Sequence, residues 1–408
     1  ITIRKNRVTA ESTQIDVKTA KAALFPSLSF STSQQVVNRP YQETSSRVSG
    51  SEIISSNSKT SYNGNYGLNA SWTIYNGSKR LKTLKQERLN NQVAELDVAT
   101  SENTIKESIA QIYIQILYAA ESVRVNENTL QVSIAQRDRG QELLNAGSIA
   151  KSDFAQLEAQ VSTDRYQLVT AQATLQDYKL QLKQLLELDG ENEMNVYLPK
   201  LSDENVLAPL PAKKDVYVSA LAIRPEIEAS KLNVEASELG IDIAKSSYFP
   251  TISLSAGIGT NHTSGSDFTF GEQVKNGWNN SIGLSVSVPI FNNRQTKSAV
   301  QKAKLQRETD MLSLLDEQKA LYKTIESLWL DANSAQQRYA AANEKLRSTQ
   351  ISYDLISEQF NLGMKNTVEL LTEKNNLLQA QQEQLQAKYM AILNTQLLKF
   401  YQGDKLTL

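Results

Sequence analysis

The chain has 408 residues, of which 43 are Lys or Arg, 44 are Asp or Glu and one is His, so its formal net charge at pH 7 is −1. Such a balance argues against nucleic-acid binding, which normally needs an excess of basic residues. The absence of Cys and the single His262 exclude disulfide bridges, thiolate metal sites and the usual nucleophilic triads, so we expect no catalytic residues, no cofactor and no bound metal.

The chain opens with a predicted helix, because Ile1 already lies in helical periodicity. We therefore expect the first residue to be a processed or trimmed end, which leaves room for a targeting segment upstream. After Pro26, strict alternation of apolar and small polar residues predicts a strand at about 27–37. The same alternation predicts a second strand at about 61–75, after a long polar connection.

Two very long helices follow these strands. No Pro interrupts the chain from Ser78 to Asn145, which predicts a helix at about 78–145 and a return helix at about 152–188. The first would be about 100 Å long at 1.5 Å per residue. Apolar residues of the return helix follow the 3-4 spacing of a coiled coil, with Asp164 in the one polar position.

A Pro-rich segment at 191–214 separates this first repeat, 1–190, from a second repeat, 215–408. Three short motifs of the first repeat occur again in the second. Phe25-Pro26 corresponds to Phe249-Pro250, 224 residues later. Tyr75-Asn76-Gly77 corresponds to Phe291-Asn292-Asn293, and Asn145-Ala146-Gly147 to Asn361-Leu362-Gly363, each 216 residues later. The duplication predicts strands at about 251–260 and 278–290. It also predicts long helices at about 293–361 and 366–402.

The four strands have one small, uncharged polar face and one apolar face. This pattern suits a membrane barrel with a water-filled lumen, and it equally suits a soluble sandwich with one wet face. Long polar connections near 34–60 and 260–276 favour the barrel, and His262 is expected to be a solvated loop residue. Four strands are too few to enclose a pore, so we expect three copies and about twelve strands.

In their order and spacing, these motifs resemble the TolC family of outer-membrane efflux proteins over nearly the whole chain. The specific pieces are Phe25-Pro26-Ser27-Leu28, Ile74-Tyr75-Asn76-Gly77, Asn145-Ala146-Gly147 and their copies in the second repeat. The resemblance implies a mainly α fold with a membrane β-barrel, in which a homotrimer forms a barrel of about twelve strands in the outer-membrane lipid and an α-helical barrel in the periplasm. It also implies a passive exit duct that carries small molecules from a periplasmic adaptor protein and an inner-membrane pump, of the RND type, to the exterior.

The resemblance assigns roles to residues at the turns between the long helices. Acidic rings close the periplasmic gate of the family, and the matching positions here are Glu369 and Thr372. Because Thr372 is not acidic, strong cation selectivity is in doubt. The turns at Gly147 and Gly363 are expected to dock the adaptor.

A gate latch is also carried over from the family, as Lys365 set against Ser152 and Asp153 with Phe360 nearby. Lys365 replaces the family's Arg and so lacks its bidentate geometry. The alternative for each residue is an ordinary charge or side chain at a helix end, since Asp153 would also complement the helix dipole.

Two other functions stay open at this point. A duct for type I secretion of proteins or peptides has the same requirements as one for small molecules. A structural coiled-coil surface protein would explain the helices but not the two β-hairpins with polar faces. A requirement for detergent would separate the duct from the surface protein.

Overall fold

The structure, a computed structural model, describes residues 1–41, 45–49, 52–56, 59–188, 194–199, 206–264, 266 and 268–406. The chain divides into two compact units. The helical unit comprises Ile1–Asn6, Leu96–Ala229 and Leu314–Leu408, and the sheet unit comprises Arg7–Glu95 and Ser230–Ser313. Each unit takes residues from both sequence repeats, so the repeats are not themselves the compact bodies.

Helices make up most of the described chain. They are α1 (Thr2–Ala22), α2 (Lys79–Asn145), α3 (Lys151–Leu185), α4 (Lys213–Ile223), α5 (Pro225–Ser246), α6 (Phe270–Asn276), α7 (Gln295–Asn361) and α8 (Thr367–Gln402). Both α2 and α7 contain 67 residues, far beyond the average of about 11–12 residues for a globular helix. No helix among the described residues has both the length and the apolar character needed to cross a membrane.

The strands form one four-stranded sheet and one separate hairpin. They are β1 (Ser27–Asn38), β2 (Ser45–Ser49), β3 (Glu52–Ser56), β4 (Thr60–Asn76), β5 (Thr251–Thr263) and β6 (Asn279–Ser287). The sheet order is β1-β4-β5-β6, with every neighbouring pair antiparallel. The central β4–β5 pair therefore joins a strand of the first repeat to a strand of the second.

Three details of the sheet unit differ from the sequence-based expectation. The connection at 34–60 contains the β2–β3 hairpin, and its residues 42–44, 50, 51, 57 and 58 lie outside the described part of the chain. The connection at 260–276 contains α6, which begins with a capping box between Thr269 and Glu272. Strand β6 ends at Ser287 rather than near 290, because Pro289 has no N–H to donate to a neighbouring strand.

His262 is a strand residue, so the expectation of a solvated loop histidine was wrong. It pairs with Gly64 across β4 and β5 and is half-buried. Its ring lies 6.0 Å from Tyr66 and 5.1 Å from Phe270, centroid to centroid. A Cβ on Gly64 would lie 2.2 Å from the imidazole Cε1. The imidazole of His262 therefore occupies the space that a side chain at position 64 would need.

The described residues of the helical unit form three apolar clusters. In the largest, the buried residues include Ile114 and Leu117 of α2, Tyr339 of α7, and Leu393 and Leu397 of α8. The others lie around α4 and α8 and near the turns. These contacts stabilise the long helices by tertiary packing, which isolated helices lack.

The predicted linker 191–214 is only partly described. Residues 189–193 and 200–205 lie outside the described chain, and the rest up to α4 is irregular. Side chains of long helices hold this segment by its carbonyl oxygens. Tyr113 Oη donates to Tyr197 O at 2.7 Å, and Trp329 Nε1 donates to Pro211 O at 3.1 Å.

Candidate functional site

The two hairpin turns of the helical unit each carry a glycine with left-handed backbone. The φ angle is 71° at Gly147 and 74° at Gly363. Their N–H groups donate to Leu144 O and Phe360 O, both at 2.9 Å, which closes each helix end. A Cβ at either glycine would meet nothing within 4 Å. The left-handed backbone, rather than lack of space, therefore explains why glycine occupies these two positions. The space beside each glycine is open in the single chain.

Glu369 closes a capping box at the start of α8. Its N–H donates to Asn366 Oδ1 at 2.9 Å, and its carboxylate accepts from the Asn366 N–H at 3.2 Å. Lys365 Nζ lies 2.5 Å from Glu369 Oε1. The Lys365 ammonium and then the Asn366 N–H hold the pKa of Glu369 below its usual value. Within one chain, Lys365 thus offsets the charge that the predicted acidic ring needs.

The predicted latch contact between Lys365 and Asp153 does not form within one chain. Among the ion pairs of the described residues, Lys365 pairs with Glu369, one helical turn further on. Asp153 instead accepts from the Ala150 N–H at 3.3 Å and so caps the first turn of α3. Ser152 is exposed. A contact between Lys365 and Asp153 of two different copies stays a prediction.

Phe360, predicted as part of the latch, and Thr372, predicted as part of the gate, have different surroundings. Phe360 is 2 % exposed and packs with Leu157 and Leu370, so it joins the two hairpins through the core. Thr372 is exposed, and its hydroxyl donates to Val368 O at 2.8 Å. Glu369 and Thr372 are three residues apart and hence neighbours on one face of α8.

A buried polar cluster, which the sequence did not reveal, joins three helices close to this end. Lys374 of α8 contacts Asp164 of α3 and Ser133 of α2, and Ser133 also donates to Asp164. The three side chains are 1–3 % exposed. Burial lowers the pKa of Lys374, and Asp164 opposes that shift. Asp164 in an otherwise apolar stripe was the signal that a buried partner had to exist.

A second ionic cluster lies elsewhere in the helical unit, at the start of α5. The Arg224 guanidinium lies 3.1 Å from Glu107 and 2.7 Å from Glu226. It also stacks over the Tyr401 ring at 4.1 Å. Burial raises the pKa of Glu107 despite the neighbouring Arg224. No local pattern connects Arg224 with Glu107, because the two residues are 117 positions apart along the chain.

In the sheet unit, strand register puts the small polar residues on one face. Three successive rows across the sheet are Ser27-Ser71-Ser255-Gly283, Ser29-Asn69-Gly257-Ser281 and Ser31-Gly67-Gly259-Asn279. Hydrogen bonds cross between these side chains, such as Ser27 Oγ to Ser71 Oγ at 2.8 Å. The four strands contain no Asp, Glu, Lys or Arg. This face is therefore polar but uncharged.

The opposite face of the sheet is apolar and exposed in the single chain. Leu28, Phe30, Ile282 and Leu284 are 65–83 % exposed. A contiguous apolar surface of this kind marks contact with lipid or with another apolar surface. The sheet thus has the two faces that the sequence predicted, one for water and one for an apolar environment.

The described residues contain no group of three or more His, Asp or Glu arranged to hold a metal ion. In the helical unit, the candidate functional features are the two hairpin turns and the start of α8. In the sheet unit, the candidate feature is the two-faced sheet. None of these features forms a catalytic constellation in the described part of the chain.

Comparisons with known proteins agree on one protein family. The sequence model of the family described as "OEP: Outer membrane efflux protein" matches residues 2–187 and 216–403. Outer membrane efflux protein BepC of Brucella suis biovar 1 (strain 1330) is 26% identical over 294 residues, 72% of this chain and 61% of that protein. Outer membrane protein TolC of Escherichia coli (strain K12) is 24% identical over 341 residues, 80% of this chain and 66% of that protein. The chain thus spans less than two thirds of each of these relatives.

A solved structure of CusC has the same fold. It superposes with a TM-score of 0.83 at 19% identity, over 99% of this chain and 89% of that chain. At 19% identity this likeness concerns the fold alone.

Proposed function

Because this chain belongs to the outer membrane efflux protein family and is an outer-membrane protein, we propose that three copies of it form a passive exit duct. The observation that supports this most is the register of the sheet, which separates an uncharged polar face from an exposed apolar face. Such a sheet suits water on one side and lipid on the other.

The open edges of the sheet support the trimer. In the described sheet β1 and β6 are the edge strands, and unpaired strand edges are too costly to persist in lipid. Joining β6 of one copy to β1 of the next would satisfy both edges. Three copies give about twelve strands, enough to enclose a water-filled lumen.

The helical part is proposed to form the periplasmic section of the duct. Its helices expose large apolar side chains in the single chain, such as Tyr166 at 74% and Val169 at 58% on α3. Contact with neighbouring copies would bury these side chains in an α-helical barrel. Burial of this kind is the main driving force for association.

The exposed hairpin turns support an adaptor protein as a partner. We place the docking of a periplasmic adaptor at the turns of Gly147 and Gly363, where Leu362 and Met364 are both 71% exposed. An inner-membrane pump, of the RND type, would supply the energy, and small molecules would be the cargo. The duct itself performs no reaction and needs only an open path.

Two measurements test the proposal. Light scattering in detergent should give the mass of a trimer, and planar bilayers should show discrete single-channel currents. A stable monomer that needs no detergent, or a bilayer without currents, would overturn the duct. In cells that lack their own duct, restored dye efflux supports small-molecule cargo. Restored secretion of a protein without dye efflux would instead assign the chain to protein export.

A further inference from the structure

The polar cluster of Ser133, Asp164 and Lys374 is the most deeply buried ionic contact of the described chain. Lys374 and Asp164 are 3% and 1% exposed as side chains. Gln160 Nε2 also donates to Asp164 Oδ1 at 2.9 Å. Both carboxylate oxygens therefore have partners, and the ammonium has two. The proposed duct does not use this cluster as part of its path, since all three main members are out of contact with solvent.

Stability alone does not explain such a cluster. Removing two charges from water costs several kcal/mol per ion, and apolar residues of the same volume often stabilise a core equally well. The layers on either side are in fact apolar, with Leu157 on α3 and Leu370 and Leu377 on α8. Apolar layers allow one helix to shift along another, whereas a directional ion pair fixes one register.

The corresponding positions of the other repeat do not hold the same cluster, although the helices are duplicated. At the 216-residue spacing of the repeats, Ser133 corresponds to Thr349 and Asp164 to Ala380. The counterpart of Lys374 is Glu158, which is exposed. The ion pair thus distinguishes α8 from α3 and ties α8 to the hairpin of the other repeat.

The tie lies close to the proposed gate. Lys374 follows Glu369 by five residues, which is about 7.5 Å along a helix. Between them, Leu370 is fully buried against Phe360 and Leu157. A shift of α8 at Lys374 would therefore move the start of this helix, which carries Glu369 and follows directly after Lys365 and Asn366.

Building on the proposed function, we propose that Lys374, Asp164 and Ser133 form a positioning lock for the gate. The lock holds the start of α8 in one register against the α2–α3 hairpin. Because the start of α8 carries Glu369, a weaker lock would let this end leave its register, and the open fraction of the proposed duct would rise. Its members are positioning residues, because they act on the path through the helix and do not line it.

The test combines three variants of the detergent-purified protein. Lys374→Met removes the charge at one site. The triple variant Lys374→Met, Asp164→Leu and Ser133→Ala replaces the whole cluster by apolar side chains. Lys345→Met is the matched control, because Lys345 of α7 pairs with Glu383 of α8 at 2.7 Å but at the surface, where the two side chains are 45% and 42% exposed.

Three readouts separate positioning from stability. We expect the triple variant to keep its thermal midpoint within about 4 °C of the parent. Its single-channel open fraction should rise about tenfold, the factor for losing one charge-assisted hydrogen bond. Amide hydrogen exchange of residues 367–378 should accelerate by a similar factor. Lys345→Met should leave open fraction and exchange unchanged.

Each outcome decides the matter. Unchanged open fraction and exchange in the triple variant would overturn the lock, and so would a triple variant that fails to fold, since the cluster would then serve stability. If the parent protein gives no currents, the proposed duct fails while hydrogen exchange still tests the contact. Faster exchange without a change in open fraction would show a helix tie that does not govern the gate, and it would also overturn the proposal.

Discussion

Replacing Leu284 by Arg tests which face of the sheet meets lipid. Leu284 lies midway between Trp278 and Phe291, the aromatic residues at the two ends of this part of the chain, and is 65% exposed on the apolar face. It pairs with Leu254 across β5 and β6. A basic side chain on the lipid face near the bilayer midplane costs about 2–4 kcal/mol per chain.

Ser285→Arg is the matched change on the opposite face. Ser285 is the next residue of β6 and donates to Ser253 O at 3.4 Å across the sheet. An arginine here would extend into water in the proposed lumen, so we expect a loss below about 1 kcal/mol. Three added positive charges in an uncharged section should also lower the passage of cations.

Urea unfolding of the protein in lipid vesicles measures the difference, followed by tryptophan fluorescence in a Trp329→Phe background so that only Trp72 and Trp278 report. Leu284→Ala separates the lost apolar contact from the buried charge. The assignment of faces would be refuted if Leu284→Arg and Ser285→Arg destabilised the protein equally. It would also fail if Leu284→Arg, rather than Ser285→Arg, changed the ion preference in bilayers.

Four further predictions concern the helix ends and the buried charges. Lys365→Met should strengthen block by a trivalent cation and Glu369→Gln should weaken it, because Lys365 offsets the carboxylate; unchanged block in both would place the constriction elsewhere. The pKa of Glu369 in the folded protein is lowered from its usual 4.5, so its capping contribution to stability is complete above pH 4.5 and is lost as the pH falls through the folded-state pKa. Hydrogen exchange of the first amides of α8, measured as a function of pH, should follow this loss. Gly77→Ala should lower the free energy of unfolding in urea by about 2–4 kcal/mol, because φ is 66° and the new Cβ would lie 2.7 Å from Ser246 O. Gly147→Ala, with a similar φ but open space around it, should lower it by about 1 kcal/mol. Equal losses for the two variants would contradict a role for the close approach to Ser246 O. Arg224→Met should destabilise by about 3–5 kcal/mol by leaving Glu107 and Glu226 unpaired. Because burial already raises the pKa of Glu107, that loss should be larger at pH 8 than at pH 5, and a loss independent of pH would count against an unpaired carboxylate.

Local patterns in the sequence were sufficient for the strands and the long helices. Period-two alternation identified β1, β4, β5 and β6, because side chains of a strand point to opposite faces and the two faces here meet different solvents. The absence of Pro identified α2 and α7. The capping pattern of Thr269 and Glu272 was readable as well, yet a short helix inside a polar connection was not predicted.

The candidate site was only partly accessible to such reasoning. The family resemblance located Glu369, Lys365 and Asp153, but geometry decided their pairing, because Lys365 lies just before α8 and reaches Glu369 in the first turn of that helix. Asp164 was visible as a polar residue in an apolar stripe. Its partner Lys374 is 210 residues away, and no local pattern connects positions so distant.

The sequence by itself determined the duplication, the order of the elements and the polarity of each strand face. Only the tertiary structure decided that the compact units cut across the repeats, with β4 paired to β5 and α8 tied to α2 and α3. The physical reason is that neither repeat can satisfy its own exposed edges: the inner edge of each two-stranded hairpin needs a strand of the other repeat. The buried charge of Asp164 likewise finds its counter-charge on a helix of the second repeat.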